Sequence, residues 1–600
     1  MVQPASNASM APAAIYVELI RIQNFRGLAE IEIELEPNLT LLVGRNNAGK
    51  SRVLRALGLA LGGLAAELDD LTVGGETPAV IDVIVAPAPP TSDAAEDAFD
   101  MVIGQRLGSG VQATREEPLR ERFGWRTTIQ RSAEGLGARS EMNVLTFDDG
   151  QQNWLLPRNG AAMSRDQRSL FAADLVETRR DLVEELTRRG SPIRRVLSDL
   201  EVADAKRNDL ENQLADLSAQ IVGSSATLGA LRKSLQDLER LVGSIGSPAL
   251  NPLPVRLEEL ARSVAIDLDA GGGPLPIRLH GAGARSLASL QVQGVLYDRR
   301  LGQDGPSTRP HPLTLVEEPE AHLHPQAHFD LAELLTSLMG QVVASTHSSH
   351  LVTSVEPRAI RLIRQEGAVS TVIDLGSQPG DSATHRALRS STHGAEMEKL
   401  KRLVERPFGE LLFASAIVIG DGATERAFLP LAIRHALRSK GHGVCVIDPG
   451  SMKSDLARAA IKFARLVDIP WLLFSDSDGP GRADANALIT DLAGGDETHL
   501  VWIVGDSGGE ANVRGAIERM LASFDDELCR DACLELRPDL DPTSTTLQML
   551  SKLKGSIGSI LGRKLIERYD DYNSWPRSLR SLIERLDLML SAEGGRPERG

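Results

Sequence analysis

Eight residues dictate more about the fold of this chain than any other stretch. Gly44-Arg45-Asn46-Asn47-Ala48-Gly49-Lys50-Ser51 follows the apolar run Leu41-Leu42-Val43 and completes the pattern G-x-x-x-x-G-K-S. Backbone N–H groups of such a loop, here including Asn46, Asn47 and Gly49, cradle phosphates. Lys50 brings a mobile positive charge to the β and γ phosphates, and Ser51 offers its hydroxyl to Mg²⁺. The loop needs a buried strand before it and a helix after it. Leu39 to Val43 reads as that strand and Ser51 to Leu61 as that helix. Far downstream, Leu313-Thr314-Leu315-Val316 is a second apolar strand, and it ends in Glu317-Glu318-Pro319-Glu320-Ala321-His322-Leu323-His324-Pro325. Its expected place is beside the loop's strand. Glu317 would then hold Mg²⁺, directly or through water, and Glu318 would polarise the attacking water. About 260 residues separate the two motifs, more than a compact nucleotide-binding domain needs, so something is inserted between them.

Six hundred residues imply two to four domains. The composition, 42% hydrophobic and 25% charged, is that of a soluble globular protein. No run of about 18 apolar residues suggests a membrane span. Met1 to Ala14 lacks the basic start and apolar centre of a signal peptide and reads as a disordered leader. Three cysteines, Cys445, Cys529 and Cys533, make no disulfide framework, which fits a reducing cytoplasm. A net charge of −16 argues against non-specific coating of nucleic acid, although local DNA contact and metal-neutralised carboxylates remain compatible with it.

Two strands, Ile15 to Ile22 and Ile31 to Leu35, flank Asn24-Phe25-Arg26-Gly27, and Arg26 is positioned to reach a nucleotide. Residues 64–160 read as irregular apart from a strand over Val80 to Val85. Residues 165–245 are strongly helical. Leu210, Leu214, Leu217 and Ile221, then Leu228, Leu231, Leu235, Leu238 and Val242, keep alternating spacings of three and four, with Gly223-Ser224-Ser225 as the break. The pattern describes either a short projecting heptad hairpin or two helices inside a larger helical domain. Residues 246–275 form a Pro/Gly-rich return. A later unit opens with Ala416-Ile417-Val418-Ile419, and the last 75 or so residues are mainly helical. The boundaries are a leader 1–14, a nucleotide-binding unit 15–162, a helical insertion 163–250, the rest of the nucleotide-binding unit 251–375, linker helices 376–412, an α/β domain 413–525 and a helical tail 526–600.

Two more segments complete the first site. Val342-Val343-Ala344-Ser345-Thr346-His347 is a buried strand whose terminal histidine is placed to sense a γ-phosphate. Gly281-Ala282-Gly283-Ala284-Arg285-Ser286 opens a helix, and such a start is an anion site. With the phosphate loop, Asn24–Gly27, the Glu-Glu-Pro-Glu-Ala-His-Leu-His-Pro run and Ser345–Ser348, this set resembles the ABC-type ATPases of the RecF/SMC and OLD (overcoming lysogenisation defect) group. The resemblance implies that the nucleotide-binding unit is an ATPase head, that the insertion serves dimerisation and that ATP is sandwiched in a homodimer, or a higher homo-oligomer, formed through the heads. Gly281, Gly283 and Ser286 would complete a neighbour's nucleotide site.

A second site lies in the later unit. The strand ending at Ile419 runs into Gly420-Asp421-Gly422-Ala423-Thr424-Glu425, and Trp471-Leu472-Leu473-Phe474 runs into Ser475-Asp476-Ser477-Asp478. In a parallel sheet both strand ends open onto one crevice. Glu425 falls one helical turn past Asp421, on the same side. Four carboxylates together need a divalent cation, and oxygen-only ligands select Mg²⁺ or Mn²⁺. Such sites suit phosphodiester displacement. The block resembles a Toprim domain, and the order of head and Toprim resembles OLD-family nucleases, including the nuclease component of Gabija-type anti-phage systems. That family carries Glu where this chain has Asp421, one methylene shorter. It also uses a later acid and a lysine, for which Glu510 and Lys554 are the candidates, with Lys552 as competitor.

The fold class expected is therefore multidomain α/β: an ABC-type ATPase head with a coiled-coil-like insertion, a Toprim domain and a helical tail. The function expected is an ATP-controlled, Mg²⁺-dependent DNA endonuclease in phage defence or DNA processing, with an accessory defence protein as a further candidate partner and no membrane partner. Two rivals are an ABC-type repair or sensor ATPase with a degenerate Toprim fold, and the ATPase subunit of a transporter.

Overall fold

The structure is a computed structural model. It describes residues 15–72, 77–88, 98–113, 121–132, 137–148, 153–176, 202–231, 252–254, 256, 267–269, 274–301, 311–338, 340–366, 369–375, 408–477, 479–504, 517–541 and 543–592. The expected leader, most of the linker helices, Asp478 and Glu510 lie outside them.

Two six-stranded sheets clasp the helix that follows the phosphate loop. The first sheet is antiparallel, in the order Leu28–Glu34, Ile15–Phe25, Ala79–Pro87, Glu121–Arg131 and Val111–Ala113, with Ala138–Val144 also paired to Glu121–Arg131. The second runs Phe171–Val176, His311–Glu317, Gln341–Thr346, Leu39–Val43, Ile360–Glu366 and Val369–Asp374, parallel except for the last strand. Helix Lys50–Ala60 buries Val53, Leu54 and Leu57 in a core shared by Ile20, Ile22, Val83 and Trp125 of the first sheet and Leu42, Leu313, Leu315 and Val343 of the second. The Trp125 indole N–H donates to the Ala60 carbonyl at 2.9 Å. Gln341 stitches the sheets, accepting from Val17 N–H at 2.9 Å and donating to the carbonyls of Val17 and Glu36.

Two expectations are corrected here. The strand ending at Glu317 does not pair with the loop's strand, because Gln341–Thr346 lies between them. All three are buried on both faces, so their patterns alone carry no order. The described residues within 64–160 are not irregular. Glu121–Arg131 buries Phe123, Trp125, Thr127 and Ile129 at period two. Its arginines reach back across the sheet, Arg122 to Glu18 at 2.6 Å and Arg126 to Asp82 at 2.7 Å. Those charges disguise a strand whose outer face is paired.

The opposite face of the second sheet, with Leu41, Val43, Val316 and Ala344, packs on helix Ala327–Ser337. The same core continues into Ile417, Ile419, Ala457, Ile461 and Leu473 of the later unit. That unit is a four-stranded parallel sheet in the order Val444–Ile447, Ala416–Gly420, Trp471–Asp476 and Leu500–Ile503. Its other face buries Val418 and Phe474 against helix Ala423–Leu437 and the C-terminal helices Ile517–Phe524, Asp526–Leu536, Thr546–Lys552, Gly558–Arg568 and Arg577–Ala592. The tail is thus part of the later unit's core, and it begins before residue 526.

In the insertion, helix Asp204–Ser224 ends at the expected break and helical residues resume over 226–231. Leu217 and Leu231 are each 47% exposed, while Ser218 and Val222 are buried. Leu235, Leu238 and Val242 lie outside the described residues. Among the described residues no helix is long and apolar enough to cross a membrane.

Candidate functional site

The loop is held between Leu39–Val43 and helix Lys50–Ala60, with Gly49 at the helix N-cap. Gly49 has φ +104°, and a Cβ there would lie 2.9 Å from Leu28 Cδ2, so only glycine suits this turn. Asn47 also takes a positive φ, 67°. The Lys50 ammonium donates to the carbonyls of Gly44 at 2.8 Å and Arg45 at 3.0 Å, folded into its own loop. Burial lowers its pKa to about 8, against the opposing pull of Glu318, Glu320 and Glu317.

Three carboxylates of one run take three directions. Glu317 accepts a hydrogen bond from the Ser51 hydroxyl. An alcohol and a carboxylate in contact, with no nitrogen or sulfur donor, suit Mg²⁺, which takes few protein ligands and keeps water. Glu318 has a left-handed backbone, φ 43°, held by its N–H to the Ser345 carbonyl at 3.0 Å. That conformation costs about 1–2 kcal/mol for a residue with a Cβ. It brings Glu318 Oε1 to 3.7 Å from His347 Nε2. Burial, then Lys50, hold the His347 imidazole below its ordinary pKa, so the ring is neutral at pH 7. Glu320 accepts from the Thr346 hydroxyl and from the His347 N–H, both at 2.7 Å.

Gly281 precedes helix Ala282–Leu301, as expected. A Cβ on Gly283 would lie 2.6 Å from the His322 carbonyl, so this helix start abuts the residues just after Glu320. Ser286 is buried. The Arg26 guanidinium lies 2.8 Å from the fully buried Asp70, which also binds Arg55.

The second crevice forms at the carboxyl edge of the later sheet, where Ala416–Gly420 and Trp471–Asp476 are adjacent and parallel. The buried Ser475 hydroxyl donates to Asp421 Oδ2 at 3.2 Å. Gly481 closes the crevice, since a Cβ there would lie 3.2 Å from Asp421 Oδ2 and 3.3 Å from Asp476 Cβ. Asp421 and Asp476 therefore face one space. Glu425, 4% exposed in the first turn of Ala423–Leu437, has its pKa pushed up to about 8 by burial and by Glu518, Asp476 and Asp421. Glu518, 7% exposed on Ile517–Phe524, accepts from the Thr424 hydroxyl at 2.7 Å. Gly555 N–H donates to the same hydroxyl at 3.3 Å, which brings the turn carrying exposed Lys554 against this helix start.

Among the described residues no three Asp, Glu, His or Cys side chains enclose a metal ion by themselves. Mg²⁺ needs only one or two carboxylates with water and substrate oxygens, so Asp421 and Asp476 fit it on chemistry. Sequence reasoning missed Glu320, Ser475, Gly481 and Glu518. The first three adjoin recognised motifs, whereas Glu518 arrives only by tertiary packing of the tail.

The two units touch at the amino edge of the later sheet, opposite the Asp421 crevice. Arg45 of the phosphate loop donates to the Ser415 hydroxyl, one residue before the strand that leads to Asp421. Arg364 donates to the Asp468 carbonyl at 2.6 Å.

A family model described as "AAA domain, putative AbiEii toxin, Type IV TA system" matches residues 39–353 of the 600. An OLD nuclease of Thermus scotoductus (strain ATCC 700910 / SA-01) is 21% identical over 476 residues, spanning 76% of this chain and 81% of that protein. Protein YbjD of Escherichia coli (strain K12) is 31% identical over 221 residues, 35% of each chain. Among solved structures, an Smc head bound to the C-winged helix domain of ScpA covers 60% of this chain and 97% of its own, at 17% identity and a TM-score of 0.34.

Proposed function

The chain belongs to that AAA-domain family, and from this premise we propose that it is an ATP-hydrolysing, divalent-metal-dependent DNA endonuclease whose nucleotide site governs cleavage at the Asp421 crevice. The observation that carries the nuclease half is the convergence of Asp421, Asp476 and buried Glu425 on one strand-end crevice. Similarity to an OLD nuclease over three quarters of the chain supports it.

At the first site Lys50 and Ser51 bind the triphosphate end, Glu317 orders the Mg²⁺ shell, Glu318 orients water and neutral His347 faces the γ-phosphate. Gly281, Gly283 and Ser286 complete the site of a second copy. At the second site, read as a Toprim fold, a bound Mg²⁺ or Mn²⁺ would stabilise charge on the phosphodiester and lower the pKa of a water. Asp421, Asp476, Asp478 and Glu425 orient that ion, with Glu510 or Glu518 as the later acid. Lys554 neutralises the leaving oxygen. Arg45 with Ser415 and Arg364 with Asp468 join the two units at the amino edge of the later sheet, the route by which the first site would act on the second. Anti-phage defence or DNA processing, with an accessory defence protein as partner, is the role such a DNA-cutting ATPase would serve.

Plasmid nicking with Mg²⁺ or Mn²⁺ tests the proposal. Wild type should nick and Asp476→Ala should not, with ATP hydrolysis intact in both. Aspartate in place of the family's glutamate at 421 favours a second reading, an ATPase whose later unit binds DNA or metal without cutting. Absence of metal-dependent nicking at every nucleotide condition would establish that reading instead.

A further inference from the structure

We propose that Glu320 is a positioning residue for ATP hydrolysis: it fixes His347 at the γ-phosphate by clamping the peptide that carries it. The inference rests on the reading of Gly44–Ser51 as an ATPase site.

Where Gln341–Thr346 ends, the His347 N–H loses its ladder partner and needs another acceptor. Glu320 Oε1 supplies it at 2.7 Å and also accepts a hydrogen bond from the Thr346 hydroxyl at 2.7 Å. That hydroxyl, fully buried, in turn accepts from Ser348 N–H at 3.0 Å. One carboxylate oxygen thus sets the backbone on both sides of residue 347. The ring is approached separately, by Glu318 at 3.7 Å. Glu320 thus fixes the peptide of His347, while Glu318 from the same short run stands beside its imidazole. Hydrogen bonds within that run, Ala321 N–H to Glu318 O and Leu323 N–H to Glu320 O at 3.0 Å each, keep the two carboxylates in fixed relation. Reaction at a phosphate responds steeply to errors of about 1 Å in a facing group, so loosening this peptide costs turnover rather than binding. Lys50 and Ser51, which would hold the triphosphate, do not depend on Glu320 for their own hydrogen bonds.

The test is steady-state ATP hydrolysis by the full chain. Glu320→Ala should lower kcat by about 10- to 100-fold and leave KM for ATP within about two-fold. Glu320→Gln keeps a carbonyl acceptor for both donors and should return to within about three-fold of wild type, whereas a role for the negative charge itself would leave it as slow as Ala. The double variant Glu320→Ala/His347→Ala should be no slower than His347→Ala, because the first change acts through the second residue. Thr346→Val, which removes one of the two bonds and keeps Glu320, should fall between wild type and Glu320→Ala. It decides the question, with the Gln variant, if Glu320→Ala fails to bind nucleotide. Wild-type kcat in Glu320→Ala, an unrescued Gln variant or multiplicative losses in the double variant would overturn the proposal. A wild-type chain that hydrolyses no ATP would overturn the ATPase reading itself, a result distinct from each of these.

Discussion

His347 Nε2 stands 3.7 Å from Glu318 Oε1, at the carboxyl ends of two adjacent parallel strands that lie 30 residues apart in sequence. Burial holds the His347 imidazole below its ordinary pKa, beside the carboxylate that would orient the attacking water. Glu318→Gln should therefore bind ATP as wild type does and hydrolyse it about 100-fold or more slowly, read by nucleotide affinity alongside single-turnover rates. Equal loss of binding would place Glu318 in ground-state recognition instead.

Nucleotide binding should take up a proton at alkaline pH. Burial lowers Lys50 to about 8 from the ordinary 10.5, so above pH 8 the empty protein holds a neutral amine. A triphosphate restores the ammonium. Calorimetry in buffers of different ionisation enthalpy should find uptake near zero at about pH 7 and approaching one proton at about pH 9. The same shift makes the empty protein gain stability between pH 8 and 10.5, where the unfolded chain binds more protons. An identical proton count at both pH values would contradict this.

At the second site the sign is opposite. Glu425 is raised to about 8 from 4.5, so the folded protein retains a proton that the unfolded chain has released. Metal-free stability should fall as pH rises from 4.5 to 8 and then level off. A cation needs the carboxylate, so Mn²⁺ should bind about tenfold more tightly per pH unit between about 6 and 8, and its gain in Tm should be largest near pH 8. Glu425→Gln should abolish both trends. Their persistence in that variant would move the titration to another group.

Gly481→Ala places a methyl 3.2 Å from Asp421 Oδ2 and 3.3 Å from Asp476 Cβ. We expect metal-dependent nicking to fall by about tenfold or more, with ATP hydrolysis within two-fold of wild type. Undiminished nicking would show that the crevice tolerates the methyl and that Asp421 is not confined by this backbone.

Thr424→Val leaves the Glu518 carboxyl buried without its hydroxyl donor. The expected cost is about 1–3 kcal/mol of stability, measured by chemical denaturation with Thr424→Ser as the control that keeps the donor. A neutral Val variant would mean that the Thr424 hydroxyl contributes nothing to holding the Glu518 side chain.

Much of the first site was legible because its geometry is local. A phosphate loop works through consecutive backbone N–H groups, and Gly49 and Lys50 mark it without reference to anything distant. The strand ends carrying Glu317, His347, Asp421 and Asp476 were equally readable, since each polar residue closes an uninterrupted apolar run. Strand order was not readable. Leu39–Val43, His311–Glu317 and Gln341–Thr346 are all buried on both faces, and nothing in a doubly covered strand names its neighbour. The strand Glu121–Arg131 was missed because Arg122 and Arg126 look like loop charges until Glu18 and Asp82 are opposite them.

The sequence by itself determined which residues end which strands, because burial and backbone hydrogen bonding act over a few neighbouring positions. Only the tertiary structure decided that Arg26 is spent on buried Asp70, that Glu518 of the tail stands with Glu425, and that Arg45 reaches Ser415 across the two units. Those pairings join residues 44, 93 and 370 positions apart, and side chains so distant in the chain meet only when whole cores pack against one another.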